Sequence, residues 1–380
     1  MKKIIAVFLI VFACILTISG SLGFTALSFC EEEINSFVTE NGNRTAGSEG
    51  EKQSANYIEE RLTALNIAPL YESYQQSFEY NDLTSQNVLG LVDNGSTSYV
   101  VIGAHYDNIY KLDESVGVND NASGVVTSLN IASNFASKNL DYNIIFAYFG
   151  AEEVGLVGSE YFLNNLDENI LNNIILYINL DSIGAGDYLY YYTYDAPTSY
   201  GNFIDNFASD YSITKLGSKR LFSNRTTQGI NYNHIGLNSD NANFIRRGIN
   251  SLTFFAGNLD VARLGFHETQ DHNKIMHNTD SIETNVEVFG ERFYINMATV
   301  NNFVTDLMLS ESFASEMSVR EINPTLLTDW FLKIIAIIFV AVLALGTFLF
   351  FKFKGKKQNP NRQLKRSKIS VKEQKEIAEN

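Results

Sequence analysis

Three short apolar runs, each ending on a histidine or a carboxylate, constrain this chain more than any other feature. They are "SYVVIGAHYD" (Ser98 to Asp107), "YNIIFAYFGAEE" (Tyr142 to Glu153) and "NIILYINLDSIGAG" (Asn173 to Gly186). Their brevity, their β-branched and aromatic content and their glycine or acidic ends predict strands buried on both faces. Helical spacing surrounds them: "SANYIEERLTALNI" (Ser54 to Ile67) repeats its apolar residues every three or four positions. "SGVVTSLNIASNFASK" (Ser123 to Lys138) reads as a helix opened by a serine cap, and "ERFYINMATVNNFVTDLM" (Glu291 to Met308) as a closing helix. Strand and helix in alternation predict an α/β fold, a single domain with a central, mostly parallel mixed sheet flanked by helices. No internal repeat or Ser/Gly-rich spacer interrupts it.

The two ends differ from this middle. Residues 1–28 hold a short basic start and the uncharged run Ile4 to Phe24, expected to be a signal peptide or signal anchor. Ile334 to Phe351 is a second uncharged run, so a transmembrane helix is expected over 331–351, after a main domain at 31–310 and a stalk at 311–330. The tail 352–380 carries 10 Lys/Arg against 3 Glu. By the positive-inside bias this basic tail is cytoplasmic, which puts the main domain outside a cell membrane that the chain crosses once. Between Glu31 and Asp329 there are 15 Lys/Arg and 40 Asp/Glu, which argues against nucleic acid as a partner. The only cysteines are Cys14 and Cys30, so a thiolate metal site is excluded and any metal must rest on imidazole and carboxylate.

In α/β sheets the ligand crevice lies beyond the carboxyl ends of the strands. His105 and Asp107 follow the first run, Glu152 and Glu153 the second, Asp181 the third, and Asp120 sits in "GVNDNASGV" before the capped helix. Carboxylates crowded on one rim repel one another and must shed water, a penalty that bound cations remove. Together with one more histidine, the set suits two divalent ions of zinc type with one aspartate, Asp120, as the bridging candidate. Two such ions can hold water between them, lower its pKa and polarise a carbonyl, which is amide hydrolysis. Adjacent side chains at a strand end point in different directions, so one of the paired glutamates can bind metal while its neighbour serves as general base.

"GAHYDN", "GVNDNASGV", "FGAEEVGLVGS" and "INLDSIG", in that order, resemble the successive motifs of the two-zinc aminopeptidases, the family of the bacterial leucyl aminopeptidases and the transferrin-receptor ectodomain. "NRTAGSEGEKQSANYIEERL" is similar to the start of that family's N-terminal helix, so the resemblance runs from about Phe37 to Met308. It implies a metallo-aminopeptidase of peptide substrates with two zinc ions, other divalent transition metals being able to substitute. His105 and Asp181 would bind one zinc, Glu153 and a late histidine the other, and Asp120 both. Glu152 would be the base, and Asp107 would orient the His105 imidazole from behind. "MHNTDSIE" favours His277 as the late ligand, although the family places its acid four residues on and here Asp280 follows by three; His267 and His272 are the alternatives. Asn241 stands where the family often has histidine.

Each residue also has a plainer reading. A lone aspartate before a helix is commonly a cap, and Asp120 could cap the helix near Ser123. The tyrosines of "YLYYYTYDAP" are most simply packing, His234 is most simply structural, and Asn43 begins a glycosylation sequon that matters only in a glycosylating host. Rival functions on the same scaffold are a glutaminyl cyclase, a carboxypeptidase, or a non-catalytic receptor ectodomain.

Overall fold

A computed structural model of the chain describes residues 28–109, 115–193, 199–216, 226–227, 230–231, 238–257, 275 and 279–318. The chain divides into two compact units, Met1–Glu321 and Ile322–Asn380, and the second lies outside the described residues. So do both apolar runs expected to engage a membrane; no helix among the described residues is long and apolar enough to cross one.

A helix over 28–41 (α1) leads to α2 (Glu49–Ala64), which begins where Ser48 caps it by accepting from the Glu51 amide. There follow β1 (Ala68–Pro69), β2 (Gln75–Tyr80), β3 (Leu83–Val92), β4 (Tyr99–His105), α3 (Ser123–Phe135), β5 (Asn143–Phe149), α4 (Val157–Asn165), α5 (Glu168–Asn172) and β6 (Ile174–Leu180). The chain then forms β7 (Tyr188–Thr193), α6 (Ser199–Ala208), β8 (Thr214–Lys215), a ribbon of β9 (Thr226–Thr227) and β10 (Ile230–Asn231), α7 (Asn241–Arg246) and β11 (Ser251–Gly257). It closes with α8 (Ile282–Phe289), α9 (Arg292–Leu309) and α10 (Phe313–Met317).

Nine strands make one sheet in the order β1-β3-β5-β4-β6-β11-β7-β8, with β2 also paired to β3. The expectation of a mostly parallel sheet holds only at its centre: β5, β4, β6 and β11 run parallel, whereas β1, β2 and β3 on one flank and β7 on the other pair antiparallel. Those flanking partners are set by contacts distant in sequence, which the pattern of a single run does not carry.

Alternation along the central strands feeds two cores. Val100, Ile102, Ala104, Ile144, Phe146 and Tyr148 face the larger, shared with α2, α3 and α9. Val101, Ile145, Ala147 and Phe149 face the smaller, under Phe162 of α4 and Phe244 of α7. Gly103 interrupts β4 because a Cβ there would stand 2.7 Å from the Tyr177 hydroxyl and 3.0 Å from the Phe149 ring. The closing helix is where the spacing predicts it. Residues 313–317, assigned to a stalk, form α10, whose Phe313 and Met317 are fully buried and whose Phe313 ring lies 5.2 Å from that of Tyr142.

Candidate metal centre

The carboxyl ends of β4, β5 and β6 lie side by side, since His105 pairs in register with Phe149 and Gly103 with Asn179. The chain just past each end therefore reaches one place. His105 Nε2 stands 3.2 Å from Asp120 Oδ1 and 3.5 Å from Asp181 Oδ1. Donor atoms of His105, Glu152 and Asp181 all fall within 4.8 Å of one another. His105, Asp120 and Glu152 are buried, and Asp181 is 19 % exposed.

Behind His105, Nδ1 lies 3.2 Å from the backbone oxygen of Asp107 and 3.6 Å from its Oδ1. A carbonyl only accepts, so this contact places a proton on Nδ1 and leaves Nε2 facing the acids, the orientation a metal-ligating imidazole needs. The Asp107 carboxylate, expected to orient that ring, faces it and also holds the neighbouring backbone. It accepts the amides of Glu152 (2.9 Å) and Glu153 (3.1 Å), fixing the turn that presents both glutamates. The preceding amide, that of Ala151, donates to Glu51 at 3.0 Å.

Asp120 rides on the turn Val118–Ala122. The Asp280 carboxylate accepts the amides of Asn119 and Asp120 at 2.9 to 3.0 Å. On either side of Asp120, two asparagines reach the β6 loop. Asn119 Oδ1 accepts from Gly184 and Ala185, while Asn121 donates to Leu180 O at 2.9 Å and accepts from the Ser182 amide at 3.2 Å, bracketing Asp181. Neither Asp120 nor Ser123 caps α3. Ser123 is already helical, its hydroxyl donates to Asn119 O and accepts from the Ile183 amide, and the Gly124 amide donates to Asn121.

Electrostatics follow from this crowding. Burial raises the Glu152 pKa well above the carboxylate range; the charge of His105 opposes it, and Asp240, Asp181 and Glu153 add to it. For His105, burial favours the neutral ring, but Glu152 and hydrogen bonds to Asp107, Asp120 and Asp181 outweigh it and push the pKa up. Asp240, fully buried at the start of α7, is raised to about 7 chiefly by burial, with His105 and a hydrogen bond to Ser159 opposing. A carboxylate-rich, water-poor pocket around one imidazole nitrogen is the donor set of a zinc-type dication, which would relieve the repulsion that the protein groups leave in place. On that chemistry the residues fit the metal.

The structure thus brings together His105, Asp120, Glu152 and Asp181 of the residues singled out from sequence, with Asp107 directly beneath. Glu153 is next to them and partly buried, but the trio that shares a common volume contains Glu152, the expected base, rather than Glu153, the expected ligand. His277, His267 and His272 lie outside the described residues, as does His234. Sequence reasoning gave no role to Asp240, Asp280, Glu51 or Arg44. The signal for Asp240 is the acid directly before Asn241; for Asp280 it is the acid three residues after His277 in "MHNTDSIE".

Comparison with known proteins gives the family. The profile of peptidase family M28 matches residues 87–290, more than half of the chain, and the chain belongs to that family. Leupeptin-inactivating enzyme 1 of Streptomyces exfoliatus is 31% identical over 170 residues, 44% of this chain and 37% of that protein. Aminopeptidase YwaD of Bacillus subtilis is 32% identical over 176 residues, again 44% of this chain and 36% of the relative. The matched stretch thus spans little more than a third of these relatives' length. Among solved structures, the zinc aminopeptidase BSAP from Bacillus subtilis superposes with a TM-score of 0.55 at 19% identity, covering 79% of this chain and 98% of that one, a likeness of fold.

Proposed function

We propose that this chain is a zinc-dependent aminopeptidase that removes N-terminal residues from peptides. One observation carries the reading: a ring nitrogen of His105, an oxygen of Glu152 and an oxygen of Asp181 lie within 4.8 Å of one another, with Asp120 Oδ1 3.2 Å from the imidazole. Membership of a peptidase family supports it, as do the names of the relatives.

His105, Asp120 and Asp181 would hold one zinc, and Asp120, Glu153 and His277 a second. Zinc in such a site supplies Lewis-acid polarisation of the scissile carbonyl and acidifies water. The chain's own contribution is proton handling and placement. A carboxyl oxygen of Glu152 takes the proton from the attacking water and delivers it to the leaving amine nitrogen; the side chain is buried beside His105 and Asp181, where it can hold that proton between the two steps. The Asp107 carboxylate keeps the Glu152 backbone still, and Asn121 does the same for Asp181. We further place the enzyme outside a cell membrane, with residues 1–28 as signal or anchor, 311–330 leading to a membrane helix at 331–351, and 352–380 as a cytoplasmic tail. The charge asymmetry of the sequence supports that orientation.

The test is zinc content and aminoacyl-arylamide hydrolysis by the full-length chain, with and without chelator, beside Glu152→Gln. Wild type should bind zinc and turn over, chelation should abolish turnover, and the variant should keep zinc while losing at least about a thousandfold in kcat. Cyclisation of N-terminal glutamine in place of arylamide hydrolysis would assign the chain to the cyclase chemistry instead, and a zinc-loaded chain inert to both would be a receptor-like domain.

A further inference from the structure

Arg44 is wholly buried, and every hydrogen bond from its guanidinium ends on a backbone carbonyl. Nε donates to Tyr106 O at 2.7 Å, the residue after His105. Nη1 donates to Val116 O at 2.7 Å and more weakly to Gly42 O at 3.4 Å, and Nη2 donates to Gly117 O at 2.8 Å, three residues before Asp120. The Arg44 backbone adds two bonds, donating to Asn108 Oδ1 at 2.8 Å and accepting from the Asn108 amide at 3.3 Å. Its cationic face lies 5.1 Å from the Phe37 ring centroid. Gly117 is shaped around it: its φ is +63°, and a Cβ there would sit 2.9 Å from Nη2 and 2.5 Å from Asp120 O.

Four charge-assisted bonds to carbonyls, fanned from three nitrogens of a side chain with no exposed surface, are an arrangement that a rigid planar fork can make and an ammonium cannot. Three of those carbonyls belong to the separate stretches that carry His105 and Asp120, Tyr106 O to the first and Val116 O and Gly117 O to the second, and one flat group ties them. The distance between the β4 end and the Asp120 turn is thereby set from below, by a residue outside the span 87–290 that the family profile matches.

We propose that Arg44 is a positioning residue for the metal centre: it fixes His105 relative to Asp120, and so sets zinc affinity without touching metal or substrate. This rests on the metallopeptidase reading. Among the described residues Arg44 is the one wholly buried cation, and Asp280, Asp107, Asp120 and Glu153 all act on its charge, so charge and geometry must be separated by experiment. Arg44→Lys keeps the charge and loses the fork, whereas Arg44→Met keeps neither.

The test measures zinc affinity of the full-length chain by competition with a chromophoric chelator, alongside thermal unfolding with the metal withheld. Residues supporting ligands from behind typically change metal affinity by about 10- to 100-fold. Both variants should lose affinity by that amount, because both lose the planar clamp. A role in fold stability alone would lower the unfolding midpoint and leave the zinc constant of the folded protein unmoved. Wild-type affinity in Arg44→Met, or in Arg44→Lys should the former not fold, overturns the inference while the functional reading stands. A wild-type chain that takes up no zinc overturns both.

Discussion

The Asp107 carboxylate holds Glu152 by its backbone, accepting that residue's amide at 2.9 Å while its other oxygen takes the next amide at 3.1 Å. Both oxygens are therefore committed to the turn that presents the paired glutamates. Asp107→Asn keeps one acceptor and turns an amide NH2 against the second N–H, leaving a buried donor facing a donor. We expect kcat to fall about 10- to 100-fold with little change in KM and a folded chain. Steady-state kinetics with circular dichroism checks this; unchanged kcat would show that the clamp does not place the base.

Asn121 makes three buried bonds, to Leu180 O, from the Ser182 amide and from the Gly124 amide. Asn121→Ala removes all three partners at once from groups that water does not reach. The expected loss is about 3 kcal/mol or more of unfolding free energy, read from urea titrations with chelator present. A loss below about 0.5 kcal/mol would mean that water replaces the amide there.

Gly124 has no room for a side chain, since a Cβ would stand 2.3 Å from Leu180 O and 2.4 Å from Asn121 Oδ1. Relief would require moving the β6 end that leads into Asp181. Gly124→Ala should destabilise by roughly 1–3 kcal/mol or more and lower zinc affinity. Gly42→Ala, where nothing lies within 4 Å of the added carbon, is the matched control and should melt like wild type.

Glu51 is buried, and desolvation, with the charge of Asp107 adding to it, lifts its pKa from the ordinary 4.5 to about 7 against bonds from Ser85, Gly47 and Ala151. A carboxyl raised in the folded state binds its proton more tightly there than when unfolded. Its stabilising share is complete below pH 4.5 and is lost as pH climbs through about 7. Glu51→Gln removes that dependence while leaving the other buried acids alone. Measured with chelator, wild-type stability relative to the variant should decline by up to about 3 kcal/mol across this window. A flat difference curve would place the Glu51 pKa near its ordinary value.

The parts of this molecule that are legible in its sequence are those fixed by short-range pattern. β4, β5 and β6 announce themselves as apolar runs, and because parallel neighbours must end together, His105, Glu152 and Asp181 can be brought to one rim before any coordinates are seen. Ser123 misleads because a serine before an apolar helix is ordinarily a cap; here the turn Val118–Ala122 precedes it and Asn121 receives the Gly124 amide instead. Arg44, Glu51 and Asp280 were illegible for another reason. Each has a partner among backbone groups at remote positions, 62 to 73 residues away for the guanidinium bonds to Tyr106, Val116 and Gly117, 100 for Glu51 to Ala151 and 161 for Asp280 to Asn119, and backbone groups leave no mark in a residue pattern. Asp280 is legible only as a motif residue, without the task it performs.

The Asp280 bond to the Asp120 turn gives synthesis of this protein an order. The segment bearing Asp120 emerges from the ribosome 160 residues before the carboxylate that steadies it, so a chain cut short of Asp280 lacks that acceptor for the Asn119 and Asp120 amides.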